Sequence, residues 1–413
     1  APSPTIFLPI ARASSADRAT EALWNDPGLR LMTPMMATGR PSPISTLPSL
    51  ALIWLSFQRV KIILMTEVLR VDPAAPDPRT IARAAEVIRR GGLVAFPTET
   101  VYGLGANALD EAAVRRIFEV KRRPADNPLI VHISRIDDLH LLAPEVPPVA
   151  ERLARVFWPG PLTIVLPRSE VVPDATTGGL PTVAVRMPSH PVARALIEAA
   201  EVPVAAPSAN LAGRPSPTSA AHVMEDLGGR IEMILDGGEI VHGVESTVLD
   251  LTTSPPTLLR PGPVTLEELR VHLGEVAVHP VVVGEETEVL LARSPGMKYR
   301  HYAPRAELVI VEGEPEAVRR KMEELLSEGR RRGLRVGAVV TSRLAGVGAD
   351  VVKVVGPREN PREVARNIFR VLRELDAEGV QFAVVEGIEP SGVGLAVMNR
   401  LRKAAGHRVI SVG

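Results

Sequence analysis

Cysteine is absent from the 413 residues. That excludes a disulfide framework, a thiol nucleophile, an iron–sulfur cluster and a cysteine-ligated zinc site. Aromatic residues are scarce, with three Trp, three Tyr and seven Phe, too few for an extended stacking platform for single-stranded nucleic acid. Lys+Arg and Asp+Glu both number 48, so no net charge draws the chain toward a polyanion or an anionic membrane. Any anion site must be local. No apolar run reaches the ~20 residues of a membrane span; the run over 47–64 is broken by Gln58, Arg59 and Lys61. The patterns G-x-x-x-x-G-K-[ST], H-E-x-x-H and G-x-S-x-G are missing, and the nine histidines show no metal-ligand spacing, which disfavours serine and zinc hydrolysis. The lack of cysteine makes a cytoplasmic protein the simplest expectation.

What is present divides into segments. Residues 1–64 scatter Pro and Ser with little periodicity and contain no signal-peptide order of basic start, apolar core and small-residue cleavage site. A globular pattern begins at Met65, so 1–64 reads as an N-terminal extension with no assigned role. Over 65–276, helical spacing near 79–90, 111–122, 147–157, 191–200 and 219–227 alternates with strand-like runs. Those runs fall at 93–96, 129–133, 162–166, 182–186, 202–206, 231–235, 246–251 and 257–260. The alternation predicts an α/β domain, a twisted mixed sheet with flanking helices. A linker or lid loop over 277–305 carries Ser294-Pro-Gly-Met-Lys-Tyr-Arg-His-Tyr-Ala-Pro304, and a loop this long and rich in chemistry favours function. Over 306–413, strands at 308–311, 336–341, 351–355, 382–386 and 409–412 separate helices at 314–331, 361–378 and 395–405. This succession predicts a smaller α/β domain with a parallel, Rossmann-like sheet.

The densest chemistry lies in 97–133, where polar, cationic and glycine residues occupy the space between two strand-like runs. Gly103-Leu-Gly105 lacks the third glycine of a dinucleotide fingerprint, and a tight turn explains it equally well. Lys121, Arg122 and Arg123 close a helix, where cations offset the helix dipole by ~0.3–1 kcal/mol each. The turn Pro124-Ala-Asp-Asn-Pro128 then leaves Arg123 and Asn127 beside the next strand, where a cation and an amide can hold phosphate. His132 fits either a hydrogen-bonded core histidine or a site residue. Arg186, at the end of a strand, suits a carboxylate or phosphate through two parallel bonds, with a surface salt bridge as the competing account. Ser208, Asn210, Ser216, Ser246 and Arg260 each adjoin a strand-like run. Turn and cap chemistry explains the hydroxyls and the amide singly; together these residues suggest a cleft for an anionic ligand.

Taken together, several motifs resemble the threonylcarbamoyl-AMP synthase family. They are Pro97-Thr-Glu-Thr-Val-Tyr-Gly-Leu-Gly105, Lys121-x-Arg123, Asn127-Pro-Leu-Ile-Val-His132, Trp158-Pro-Gly-Pro-Leu-Thr163, Ser208-x-Asn210 and Gly243-Val-Glu-Ser-Thr247. The likeness is to the long form, a YrdC-like catalytic domain joined by a linker to a smaller C-terminal domain, and it covers 65–413.

The resemblance implies a nucleotidyltransferase that joins L-threonine, bicarbonate and ATP into threonylcarbamoyl-AMP, releasing pyrophosphate, for threonylcarbamoylation of tRNA adenosine 37. It places Lys121, Arg123, Asn127, Thr182, Ser208, Asn210, Ser216, Arg260 and a linker tyrosine, Tyr302 rather than Tyr299, on ATP, with Lys121 and Arg123 as the catalytic cations. It places Thr100, His132, Arg186, the backbone of Ala206 and Ser246 on L-threonine. Magnesium is implied on the ATP phosphates, with no ligand from a protein side chain. A separate transfer complex would take up the product, and neither membrane attachment nor strong direct nucleic-acid binding is expected. The C-terminal domain is expected to support and regulate the linker. Two other readings are a related carbamoyl-adenylating enzyme of the hydrogenase-maturation type, which the missing cysteines disfavour, and a non-catalytic RNA-binding module, which the zero net charge disfavours.

Overall fold

The computed structural model describes residues 65–284, 293–295 and 301–413. Residues 1–64 and Tyr299 therefore lie outside the described residues. The first eleven strands are β1 (Glu67–Arg70), β2 (Val94–Pro97), β3 (Tyr102–Asn107), β4 (Ile130–His132), β5 (Leu162–Pro167), β6 (Thr182–Arg186), β7 (Val204–Ala205), β8 (Met233–Asp236), β9 (Thr247–Asp250), β10 (Thr257–Arg260) and β11 (Ala277–Val278). They form one mixed sheet in the order β1-β8-β2-β3-β7-β4-β6-β5-β9-β10-β11.

Most strands of this sheet read as continuous apolar runs because both faces are covered. In and beside β2 the alternation is explicit: Leu93 and Ala95 pack with Val114, Ile117 and Phe118 on one face. Val94 and Phe96 pack with Ile81, Ala84 and Ile88 on the other. Those partners come from the helices Pro78–Arg89 and Glu111–Lys121, which begin on the aspartate caps Asp77 and Asp110. Asp110 accepts from Ala112 N at 2.9 Å and Ala113 N at 3.1 Å, satisfying two backbone donors that a helix start leaves open. The second helix stops at Arg122, in left-handed conformation with φ 53°.

Sheet direction gathers the chemistry at one end. β4 and β6 run parallel with His132 beside Arg186. β5 is antiparallel to β6, β9 parallel to β5, and β10 antiparallel to β9. The end of β6, the start of β9 and the end of β10 therefore coincide, which brings Arg186, Ser246 and Arg260 together.

Five further strands, β12 (Glu307–Gly313), β13 (Val336–Val340), β14 (Val351–Val354), β15 (Phe382–Glu386) and β16 (Val409–Val412), make a parallel sheet in the order β14-β13-β15-β12-β16. Val309 and Val311 face the helix Pro315–Arg331. Leu308 and Ile310 face the helices Pro361–Ala377 and Val393–Ala404. Val101, Val244 and Tyr302 join this last cluster, so one apolar core continues from the eleven-stranded sheet's loops into the smaller sheet.

One local expectation is corrected. Gly103 and Gly105 occupy no turn; they lie within β3, antiparallel to β2. A Cβ on Gly105 would sit 2.7 Å from Phe96 Cε1 and 2.9 Å from Val204 Cγ1, so that glycine permits close packing instead of cradling phosphate. Gly105→Ala should accordingly destabilise the protein by about 1–3 kcal/mol through overpacking. Urea denaturation should show a lower midpoint with an unchanged slope.

Candidate active site

At this end of the sheet lies a cavity of about 60 Å³. Lys121, Arg123, Arg186 and Arg260 line it, together with the carboxylate of Glu245. Thr100, His132, Ala206, Ser208, Asn210, Ser246 and Tyr302 complete the part of the wall expected from sequence.

On one side, Arg186 is 3% exposed and forms a buried ion pair, Nη2 to Glu99 Oε1 at 2.6 Å. Its Nε donates to the Gly160 carbonyl at 3.3 Å. The surface salt bridge weighed as an alternative is thus replaced by an interior pair. Burial alone would raise the Glu99 carboxyl, but Arg186 outweighs burial and holds it below its ordinary value. His132, beside Arg186, is pushed down to about 3 by burial and then by the Arg186 charge, so its imidazole is neutral at physiological pH. Its Nδ1 is buried with no hydrogen-bond partner, and its ring meets the edge of Phe96 at 6.4 Å between centroids. Thr100 Oγ1 lies 2.9 Å from Thr98 Oγ1, and Ser246 Oγ lies 2.8 Å from Thr163 Oγ1.

On the other side, Arg260 spans the site, donating from Nε to the Ser246 carbonyl at 2.9 Å and from Nη2 to Ser246 Oγ at 3.0 Å. Burial lowers it to about 10, still a cation at neutral pH. Lys121 is 1% exposed, which excludes a solvated helix-end role. Its ammonium donates to the carbonyls of Ser208 and Asn210, and burial followed by the Arg123 charge lowers its pKa well below the lysine range. Arg123 Nη2 reaches the Asn127 and Pro128 carbonyls at 3.4 and 3.3 Å. Ser208 Oγ donates to Asn210 Oδ1 at 2.6 Å.

Three expected nucleotide residues do not line the cavity: Asn127, Thr182 and Ser216. Asn127 is fully buried with its amide unpartnered, Thr182 opens β6, and Ser216 turns its hydroxyl to Glu245 at 2.6 Å. Pro295, His301 and Tyr302 from the linker close this side. Tyr302 stacks on Phe369 with 5.1 Å between ring centroids.

Glu99 and Glu245 are the functional side chains that residue type alone conceals. Each sits inside a quoted motif, but a carboxylate at an anion site has the wrong sign until its arginine is seen. Burial by itself would raise Glu245; Arg400 and Arg260 outweigh it and hold the carboxyl at about 2.

Known proteins share this architecture. A family model described as "Telomere recombination" matches residues 86–262, and another, "Threonylcarbamoyl-AMP synthase, C-terminal domain", matches 264–406. A threonylcarbamoyl-AMP synthase of Pyrococcus abyssi is 58% identical over 329 residues, spanning 80% of this chain and 95% of the relative. The chain belongs to the threonylcarbamoyl-AMP synthase family. A family member from Bacillus subtilis is 49% identical across 81% of this chain and 95% of its own length. The solved structure of P. abyssi Sua5 complexed with L-threonine superposes with a TM-score of 0.81 at 56% identity, covering 84% of this chain and all of that one. The two-domain form of the family read from the motifs is therefore the form of this chain.

The depressed His132 has a consequence for stability. Its folded pKa of about 3 lies below the ordinary value of 6.5, so between these limits the unfolded chain binds the extra proton. Its contribution is complete above pH 6.5 and is lost as pH falls toward 3, amounting to about 2 kcal/mol by pH 5. Urea titrations of wild type and His132→Gln should show a shallower acid decline for the variant over this window.

Proposed function

We infer that the protein is an L-threonylcarbamoyladenylate synthase that builds its adenylate in this cavity. The observation that carries the reading is the meeting of Arg186, His132 and Ser246 with Lys121, Arg123, Asn210 and Arg260 around one small, cation-rich space, in a chain of this family.

In the proposed reaction the threonine amine takes up carbon dioxide derived from bicarbonate, losing a proton and forming a carbamate. A carbamate oxygen attacks the α-phosphorus of ATP, the bond to the β-phosphate breaks, and pyrophosphate leaves with the electron pair. No protein nucleophile is needed, so catalysis rests on positioning and fixed charge. Arg186 receives the threonine carboxylate. Among the described residues its Nη1 makes no hydrogen bond, while Glu99 and Gly160 hold its other nitrogens. Neutral His132, with Nδ1 unpaired, supplies a hydrogen bond without another charge. Thr100, the Ala206 backbone and Ser246 complete the amino-acid side. Lys121, Arg123 and Arg260 face the phosphates, with Lys121 and Arg123 as the catalytic cations; Ser208, Asn210 and Tyr302 contact the nucleotide, and the family resemblance adds Asn127, Thr182 and Ser216, which lie outside the cavity wall.

Magnesium enters on the triphosphate as part of the substrate. Both carboxylates beside the site are committed to arginines, Glu99 to Arg186 and Glu245 to Arg400, which leaves the phosphates as the ion's anionic ligands. The product is suited to a downstream tRNA threonylcarbamoyl-transfer complex in the cytoplasm. Among the described residues no helix is long and apolar enough to cross a membrane.

Incubation with ATP, magnesium, bicarbonate and L-threonine should release pyrophosphate only when threonine is present, with the adenylate detected by mass spectrometry. Threonine-independent release would overturn the assignment. Arg186→Gln should raise KM for threonine about 10–100-fold, the value of a charge-assisted bond, with KM for ATP nearly unchanged. Arg123→Ala should act oppositely, raising KM for ATP and lowering kcat while sparing the threonine requirement. Steady-state kinetics with each substrate varied in turn separates the two.

A further inference from the structure

The C-terminal domain buries two arginines against the loops of the proposed nucleotide site. Arg400, in the helix Val393–Ala404, is 1% exposed, and Arg373, in the helix Pro361–Ala377, is 4% exposed. Burying a guanidinium costs several kcal/mol before its partners are counted, and a well-packed apolar residue would avoid that cost. What these side chains hold is therefore informative.

Arg400 Nε donates to Glu245 Oε2 at 2.7 Å, and Glu245 Oε1 accepts from the Ser216 hydroxyl at 2.6 Å. The same guanidinium donates through Nη2 to the Pro261 carbonyl at 3.0 Å, just after Arg260. It also lies 5.6 Å from the centroid of the Tyr302 ring. Arg373 Nη2 donates to the Pro215 carbonyl at 2.6 Å and to Asp226 Oδ2 at 2.8 Å. Asp226 in turn takes Arg214 Nη1 and, at 3.2 Å, Leu211 N. Asn210 closes the chain by donating from Nδ2 to the Leu211 and Arg214 carbonyls at 2.8 and 3.0 Å. The segment 208–216, which carries Ser208, Asn210 and Ser216, is thus held from behind by one domain and presented by the other. Backbone fit is equally close: a Cβ on Gly243 would lie 2.3 Å from the Ala365 carbonyl oxygen and 2.4 Å from Arg366 Cα.

We propose that Arg373 and Arg400 are positioning residues for ATP: through Asp226 and Glu245 they fix the shape of segment 208–216, making the C-terminal domain a structural part of the nucleotide site. The proposal rests on the reading of that site as the ATP side. Neither arginine donates to Arg186 or His132, the centre of the proposed threonine side; Ser246, beside Glu245, is the amino-acid-side group nearest to this network.

The test uses the full chain and pyrophosphate release with each substrate varied. Arg400→Met should raise KM for ATP about 10-fold or more, the scale of a lost charge-assisted bond, with KM for threonine changed less than about 2-fold. Because the single change strands Glu245 in the interior, the double variant Arg400→Met/Glu245→Gln removes the buried charge as well. Thermal stability restored in the double variant while KM for ATP stays raised supports positioning. Stability and KM for ATP returning together would overturn it, as would single variants that weaken both substrates equally. Arg400→Lys should fail to rescue, since an ammonium cannot reach Glu245, Pro261 and the Tyr302 ring together; rescue would count against the proposal. Arg373→Met paired with Asp226→Asn gives a second, independent reading of the same outcomes. If the wild-type chain releases no threonine-dependent pyrophosphate, the functional reading itself fails, which is distinguishable from wild-type activity with an unmoved KM in the variants.

Discussion

A guanidinium in a dry interior needs an anion, and that demand organises the site. Arg186, Arg260, Arg373 and Arg400 are each at most 5% exposed. Removing one partner of such a pair costs about 3–5 kcal/mol, because the remaining charge stays buried and uncompensated. Glu99, Glu245 and Asp226 therefore do more than balance charge. They determine where Arg186, Arg400 and Arg373 lie, while Ser246 holds Arg260, and so where a carboxylate or phosphate can find an unused N–H. Arg186 shows the principle: Glu99 and the Gly160 carbonyl fix its orientation without using its full set of five donors,. Substrate binding then adds to a pair instead of having to order a loose side chain.

The sheet supplies the second condition, a fixed separation between the ends of the site. His132 and Arg186 sit in register on parallel strands, and Ser246 and Arg260 flank an antiparallel pair one strand beyond β5. Ladder hydrogen bonds hold the backbones of His132, Arg186 and Arg260, and Ser246 directly precedes β9, so the separations among these groups are set by strand spacing. A reaction that needs no protein nucleophile gains most from this kind of rigidity.

Much of this was legible in the sequence because local patterns and tertiary demands agree. Asp77 and Asp110 mark helix starts, and the Val-rich runs of 308–311, 336–340 and 382–386 announce a parallel sheet covered on both faces. Lys121-x-Arg123 announced a cationic turn, and eleven of the fourteen residues expected on the substrates line one cavity. The failures share a cause. Gly103 and Gly105 were read by their conformational freedom, whereas the strand uses their small size. Glu99 and Glu245 received no role, because what they do depends on arginines 87 and 155 residues away. Arg373 and Arg400 lie on helices where an arginine normally faces solvent, and only the packing of two domains reveals that these are buried.

The same packing reaches the linker that borders the cavity. A cavity of about 60 Å³ is well below the ~300–1,000 Å³ of pockets that hold drug-sized ligands. On the linker side its wall is made by Pro295, His301 and Tyr302. Tyr302 has φ 67°, a left-handed conformation that costs a non-glycine residue about 1–2 kcal/mol. The strain is offset by its ring, stacked on Phe369 and facing Arg400, and by the neighbouring Ala303 N, which donates to the Gly213 carbonyl at 2.8 Å. Arg400 thus touches both a linker side chain in the cavity wall and the carboxylate that holds Ser216. The linker and the segment 208–216 therefore share one buried guanidinium, so a displacement of either changes the electrostatic surroundings of the other.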